Sequence, residues 1–196
     1  MRYEKGRKDA SRDRIVEVAA QRFRGDGIAA SGLAAIMGDA GLTNGAFYPH
    51  FQSKAELVRE SLVAAMETQS QQLQEVLAAG GPEMGIAAYL SAEHRDNPGT
   101  GCANAALLPE LARQPLETRE VYTERLLVLV RQLSAALPQT KDPEGAAMGV
   151  FATLIGTLQL ARAVAGTDLS DRILAAGADA ARRLIQTPEG GEGILD

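Results

Sequence analysis

Residues 31–58 read SGLAAIMGDAGLTNGAFYPHFQSKAELV, and the spacing within this stretch decides the fold. Ser31 is placed to cap a short helix that runs to Asp39, turns Leu33, Ile36 and Met37 inward and stops at Ala40-Gly41. A second helix is expected from Thr43, its potential cap, to Phe51. It should be barely two turns long, because Gly45 is a poor helix former and Pro49 lacks the amide that would bond back to Gly45. Ser53-Lys54-Ala55-Glu56 then has the S-x-x-E spacing of a capping box and opens a long helix.

A short helix, a glycine turn and a still shorter capped helix form a helix-turn-helix pattern, in which the second helix lays its first residues in a DNA major groove. Asn44 offers an amide able to pair with a base edge, while Gly45 and Ala46 lack bulk and let the backbone come close. Phe47 and Phe51 lie four apart on one face and should fill the core. Tyr48 points elsewhere with a hydroxyl suited to phosphate, and His50 and Lys54 follow within reach of the same backbone.

Working outward, Ser11 to about Gly25 places Ile15, Val18, Ala19 and Phe23 on one stripe beside a basic face. The helix after Ser53 runs through Leu57, Leu62, Ala65, Met66, Leu73 and Leu77 to Gly80-Gly81-Pro82, long enough to serve as a connector. Breaks at 97–101, 114–115, 138–143 and 166–168 divide the rest into about five helices. Asp142-Pro143-Glu144 is a strong helix start, and the last two helices, about 142–165 and 168–186, carry small residues that permit close approach. No stretch has period-two alternation, so the chain is expected to be all-α with about nine helices.

The 196 residues are 45% hydrophobic and 23% charged, an ordinary globular composition. No apolar run is expected to reach the length of a bilayer. A lone cysteine, Cys102, and two histidines, His50 and His94, leave no ligand set for a zinc or iron–sulfur site, so neither metal nor cofactor is expected. No phosphate loop, dinucleotide fingerprint or nucleophile elbow occurs, and no enzyme is expected. Residues 1–60 hold ten Lys or Arg against eight Asp or Glu, although the whole chain has a formal charge of −5. A locally basic end on an acidic protein suits one defined polyanion better than indiscriminate binding.

The 31–58 stretch resembles the DNA-binding signature of the TetR/AcrR family of bacterial transcriptional regulators. Ala40-Gly41, Gly45, Tyr48, His50-Phe51 and Ser53-Lys54-Ala55-Glu56 stand where that family has its motif, within roughly residues 9–69. Pro49 departs from the commonest pattern at a variable slot. The resemblance implies an N-terminal three-helix head over 9–69, with the helix-turn-helix at about 32–51. It also implies a C-terminal ligand-binding and dimerisation bundle over 70–187, and a tail over 188–196 reads as disordered. By the same resemblance, Thr43, Asn44 and Gly45 meet the groove, Tyr48, His50 and Lys54 meet phosphates, and Ser31 stands at the start of the preceding helix. The implied partners are double-stranded operator DNA, a second copy through the last two helices, and a small-molecule effector that releases a repressor from a palindromic operator, with no membrane. Residues 1–14 have no apolar stretch of signal-peptide type and the lone Cys102 cannot form an intramolecular disulfide, so a reducing, cytoplasmic setting is expected.

Residues 100–112, TGCANAALLPELA, are similar to a helix start in one branch of this family, some members of which sense electrophiles through cysteine. Cys102 would sit in the first turn, where the helix dipole favours the thiolate, although a packed core thiol is the commoner state. The same fold triggered through Cys102 is therefore a second reading. Tyr89, Phe151 and Gln159, with Met84 and Met148, are candidate ligand-lining residues, while His94 reads as structural. A helical enzyme with a vestigial head and a module that binds no DNA are the remaining alternatives. The enzyme lacks any paired acid and base in the C-terminal half, and the module gives Tyr48 and Lys54 no reason to occur together.

Overall fold

The computed structural model describes residues 2–137 and 141–186, and the tail expected over 188–196 lies outside the described residues. The described chain is all-α. It comprises α1 (Arg2–Asp26), α2 (Leu33–Asp39), a 3₁₀ turn (Asn44–Ala46), α3 (Lys54–Tyr89), α4 (Ala92–Asp96), α5 (Ala103–Leu111), α6 (Leu116–Ala135), α7 (Pro143–Ala163) and α8 (Asp168–Ile185). The helix expected from Ser11 starts at Arg2. Residues 2–10 have no apolar stripe, so periodicity is silent where helix propensity alone carries the chain.

The Gly80-Gly81-Pro82 break is present inside α3: Gly80 (φ −158°, ψ 16°) and Gly81 (φ 67°, ψ −166°) leave helical geometry, and helix resumes at Pro82. Proline suits a helix's first turn because that amide needs no partner.

The chain divides into two compact units, one of residues 1–72 with 93–128, the other of residues 73–92 with the chain from 129 on. In the first, Ile15, Ala19 and Phe23 of α1, Ile36 and Met37 of α2, Leu57, Leu62 and Met66 of α3, and Leu107 and Leu111 of α5 are all buried. With Phe47 and Phe51, also buried, these side chains make up the apolar core of the unit.

In the second unit, α7 and α8 form a hairpin. Asp142 accepts a hydrogen bond from Gly145 N–H and Pro143 occupies the first turn, as the sequence predicts. Ser170 Oγ donates to the Ala161 carbonyl at 2.8 Å, and Arg182 joins Glu83 and Asp179. One sequence expectation is revised here: α7, with 21 residues, is long and apolar enough by length and composition to cross a bilayer. Its Ala147, Val150, Leu154, Leu158 and Ala161 are buried on one face, while Met148 and Leu160 are exposed on the other.

The closeness of α7 and α8 rests on Gly177. A Cβ at that position would lie 2.3 Å from Thr157 Cγ2. Gly177→Ala should therefore force the two helices apart and cost about 1–3 kcal/mol, against the small gain alanine brings in an unobstructed helix. Urea midpoints compare the two directly, and equal or greater stability of the variant would show that the hairpin tolerates the extra methyl.

Candidate nucleic-acid interface

α2 ends in a Schellman motif. Leu42 N–H donates to the Met37 carbonyl at 2.9 Å, Gly41 N–H donates to the Gly38 carbonyl at 2.9 Å, and Gly41 adopts φ 72°. Only glycine takes that conformation without strain, so the turn foreseen at Ala40-Gly41 has a backbone reason.

The second helix, expected over 43–51, is shorter than the sequence reading. It is a single 3₁₀ turn over Asn44–Ala46, followed by a turn over 48–50. Ala46 N–H bonds to the Thr43 carbonyl and Phe47 N–H to the Asn44 carbonyl, both three residues back. Pro49 has no proton for the Gly45 carbonyl, and its ring disfavours α geometry at Tyr48, so an i−4 ladder cannot propagate. His50 N–H and Phe51 N–H both return to the Phe47 carbonyl, closing the segment. Thr43 stands at the N-cap, but its side chain makes no capping bond.

The side chains sort as their spacing requires. Phe47 and Phe51 are each 1% exposed and stack with centroids 5.5 Å apart. Tyr48 is 71% exposed, its ring edge-on to Phe47. Thr43, Asn44 and Gly45 are exposed, and a Cβ at Gly45 would meet nothing within 4 Å. Ser53 Oγ accepts from Glu56 N–H at 3.1 Å, one half of the capping box; the Glu56 carboxylate reaches one residue further back, to Gln52 N–H.

Two expected DNA-contact residues have structural commitments. Ser31 does not cap α2: Gly32 holds that position, and Ser31 is buried with Oγ donating to the Gly27 carbonyl at 2.7 Å. It therefore has no face to present to a phosphate. Lys54 is half-buried, and its Nζ donates to the Ile28 carbonyl at 2.6 Å, so one ammonium proton is spoken for.

His50 is half-buried, and its Nδ1 is shut from solvent with no hydrogen-bond partner. Burial, then the positive charges of Lys8 and Arg12, hold its pKa below the ordinary 6.5. Those two α1 residues were not singled out by motif spacing. Lys8 is exposed, and Arg12 stacks its guanidinium 4.9 Å over the Phe51 ring while pairing with Glu60. Glu110 of α5, which bonds the Ile28 and Ala29 amides, was missed as well, because no local signal marks a contact so far along the chain.

Of the expected ligand residues, Cys102 belongs to the first unit and Tyr89, Phe151 and Gln159, all half-buried, to the second. Cys102 is 4% exposed and occupies the N-cap of α5, where its N–H donates to His94 Nε2 at 2.9 Å. Asn104 Nδ2 donates to its Sγ at 3.6 Å. Burial, with the nearby cysteine, pushes the Tyr122 phenol up to about 12. A cleft of about 440 Å³ in the first unit is walled by Asp13, Glu17, Gln21, Arg24, Gln69 and Thr100 among others, and none of the four expected ligand residues lines it.

An exposed, glycine-opened turn anchored by two buried aromatics on a three-element head defines a helix-turn-helix domain on an all-α chain. Residues 15–61 match the family model described as bacterial regulatory proteins, tetR family. Over this segment the head is similar to the tetR family of bacterial regulatory proteins. No curated protein matches by sequence. Among solved structures, the reduced form of NemR from E. coli superposes with a TM-score of 0.76 at 20% identity, covering 92% of this chain and 100% of that one. A TetR-family transcriptional regulator from Agrobacterium tumefaciens gives 0.72 at 20% identity, covering 88% and 98%. SmeT, the repressor of the Stenotrophomonas maltophilia multidrug efflux pump SmeDEF, gives 0.60 at 21% identity, covering 94% and 97%.

With the folded pKa of His50 below 6.5, the unfolded chain takes up that proton first as pH falls. The stability it contributes is whole above 6.5 and is lost as pH drops through the lowered folded value. Replacing His50 with asparagine should flatten the acid limb of stability between about pH 5 and 7, measured by urea midpoints, and a slope unchanged in the variant would assign the limb to other groups.

Proposed function

We propose that the chain is a ligand-responsive transcriptional regulator, a repressor that reads a palindromic operator as a dimer and leaves it when a small molecule binds. The observation that carries this reading is the presentation of Thr43, Asn44 and Gly45 beside an outward-facing Tyr48, on a head whose apolar anchors point the other way. Asn44 supplies base-edge pairing, Gly45 lets the backbone approach, and Tyr48 and His50 contact phosphates with Lys8 adding charge. The head of residues 9–69 reads DNA, and the chain over 70–187 carries effector binding and self-association.

Exposed Met148 and Leu160 on α7, and Leu169 and Leu184 on α8, support these helices as the surface for a second copy. Two heads would then address half-sites roughly 34 Å apart, one turn of duplex. The cleft of the first unit offers volume for a small molecule, but it is walled mainly by residues of the head, with only Gln72, Thr100 and Gly101 from the chain over 70–187, so it supports an effector that acts directly on the head rather than one held by the C-terminal chain alone. Such a molecule shifts DNA occupancy only by its differential affinity for the bound and released forms. The repressor role printed for SmeT agrees with this reading.

A titration with the promoter fragment neighbouring the coding sequence tests it. Two chains should bind per duplex, with discrimination against random DNA. Asn44→Ala should change the preference among bases, whereas Lys8→Ala should weaken all sequences alike and lower the slope of log affinity against log salt by about one. Absence of discrimination, or equal effects of both variants on every sequence, would defeat the assignment.

A second reading makes Cys102 the trigger, through reaction of its thiol with an electrophile. The Asn104 amide, which donates to Sγ and fixes its orientation at the start of α5, supports it. Cys102→Ser should abolish DNA release by quinones if this reading holds, and undiminished release from the variant would dismiss it.

A further inference from the structure

Glu110 lies on α5, outside the segment matched to the family, yet its carboxylate closes on the head. Ile28 N–H donates to Oε1 at 2.9 Å and Ala29 N–H donates to Oε2 at 2.9 Å. These consecutive amides belong to the loop joining α1 to α2. One ionised carboxylate accepting from two adjacent amides makes charge-assisted bonds that fix direction as well as distance.

The chain is shaped to receive it. Gly27 takes φ 90°, and a Cβ there would lie 2.9 Å from Glu110 Oε1, so glycine supplies both the left-handed conformation and the room. The rest of the loop is secured from within the head: Ser31 N–H and Oγ both donate to the Gly27 carbonyl, and Lys54 Nζ donates to the Ile28 carbonyl. Among these side-chain ties, Glu110 is the one that comes from beyond the reading domain. α5 also packs on α1, and its Leu107 and Leu111 share a small void with Phe23 and Ile28. The other end of α5 is held as well, by His94 on Cys102 N–H and by Gln69 Oε1 on Ala103 N–H. A displacement of α5 by an ångström would therefore stretch 2.9 Å bonds beyond hydrogen-bonding range.

We propose that Glu110 is a positioning residue for DNA reading: its carboxylate sets the α1–α2 loop, and thereby the direction in which α2 and the 43–51 segment leave α1. This inference rests on the DNA-reading function proposed above. Its test joins a local probe that needs no DNA to one that does.

Full-length protein carrying Glu110→Gln, a near-isosteric change that removes one acceptor and the charge, is compared with the unaltered chain by hydrogen–deuterium exchange and by titration with the promoter duplex. The Ile28 and Ala29 amides should exchange about tenfold faster, those of α7 and α8 should not change, and affinity for the duplex should fall about tenfold. Gly27→Ala, which pushes the carboxylate aside from the opposite partner, should act in the same direction on both readouts. Unchanged exchange at residues 28–29 in both variants would overturn the clamp. Faster exchange with affinity within twofold of the unaltered protein would overturn its role in reading. If the unaltered protein itself prefers no duplex over random DNA, the underlying function fails before any variant is compared, and the positioning role falls with it.

Discussion

The interface depends on the burial of two aromatic rings rather than on the hydrogen bonds of the element they flank. Three residues of 3₁₀ helix cannot hold themselves in water, since a helical nucleus costs more than its one or two bonds return. Phe47 and Phe51 are each 1% exposed and stacked, and burying such rings is worth about 2–3 kcal/mol apiece. That anchorage outweighs the loss at Pro49 and leaves Asn44, Gly45 and Tyr48 free of structural duty. A segment with better helical bonding of its own would need its anchors less. Here packing on α1, α2 and α3 is what makes the turn rigid enough to read a groove.

The positive charge of the N-terminal segment is less available than a count of residues implies. Arg12 pairs with Glu60 and covers Phe51, Arg22 pairs with Asp26 and Asp39, and Arg24 donates to the Gly99 carbonyl. These contacts are mostly solvent-exposed and add little stability individually, but they fix where the guanidinium groups point. Near His50, burial and then the charges of Lys8 and Arg12 together lower its proton affinity.

In the second unit the same logic of close packing takes another form. Gly177 of α8 lies against Thr157 of α7, so backbone proximity replaces side-chain volume, and Met148, Leu160, Leu169 and Leu184 are left exposed. α7 has the length and hydropathy of a bilayer segment because a hairpin core and a lipid-facing helix draw on the same residues. One face of α7, with Ala147, Val150 and Leu158, is buried against the rest of the unit, while Met148 and Leu160 face outward.

Local physics made much of this protein legible from residue order. The glycine stop at Gly41, the Ser53 hydroxyl on Glu56 N–H, the Asp142 cap and the Gly80-Gly81 break each involve groups a few residues apart, whose geometry is dictated by steric and hydrogen-bonding rules within a single turn. The inward turn of Phe47 and Phe51 and the outward turn of Tyr48 follow from the same short spacing. Tertiary structure alone decided that Ser31 is buried against Gly27, that Lys54 holds a carbonyl 26 residues away, and that Glu110 caps an amide 82 residues away. An unpaired backbone group in a loop accepts whichever complementary side chain the folded chain delivers, and no periodicity or capping rule names that side chain in advance.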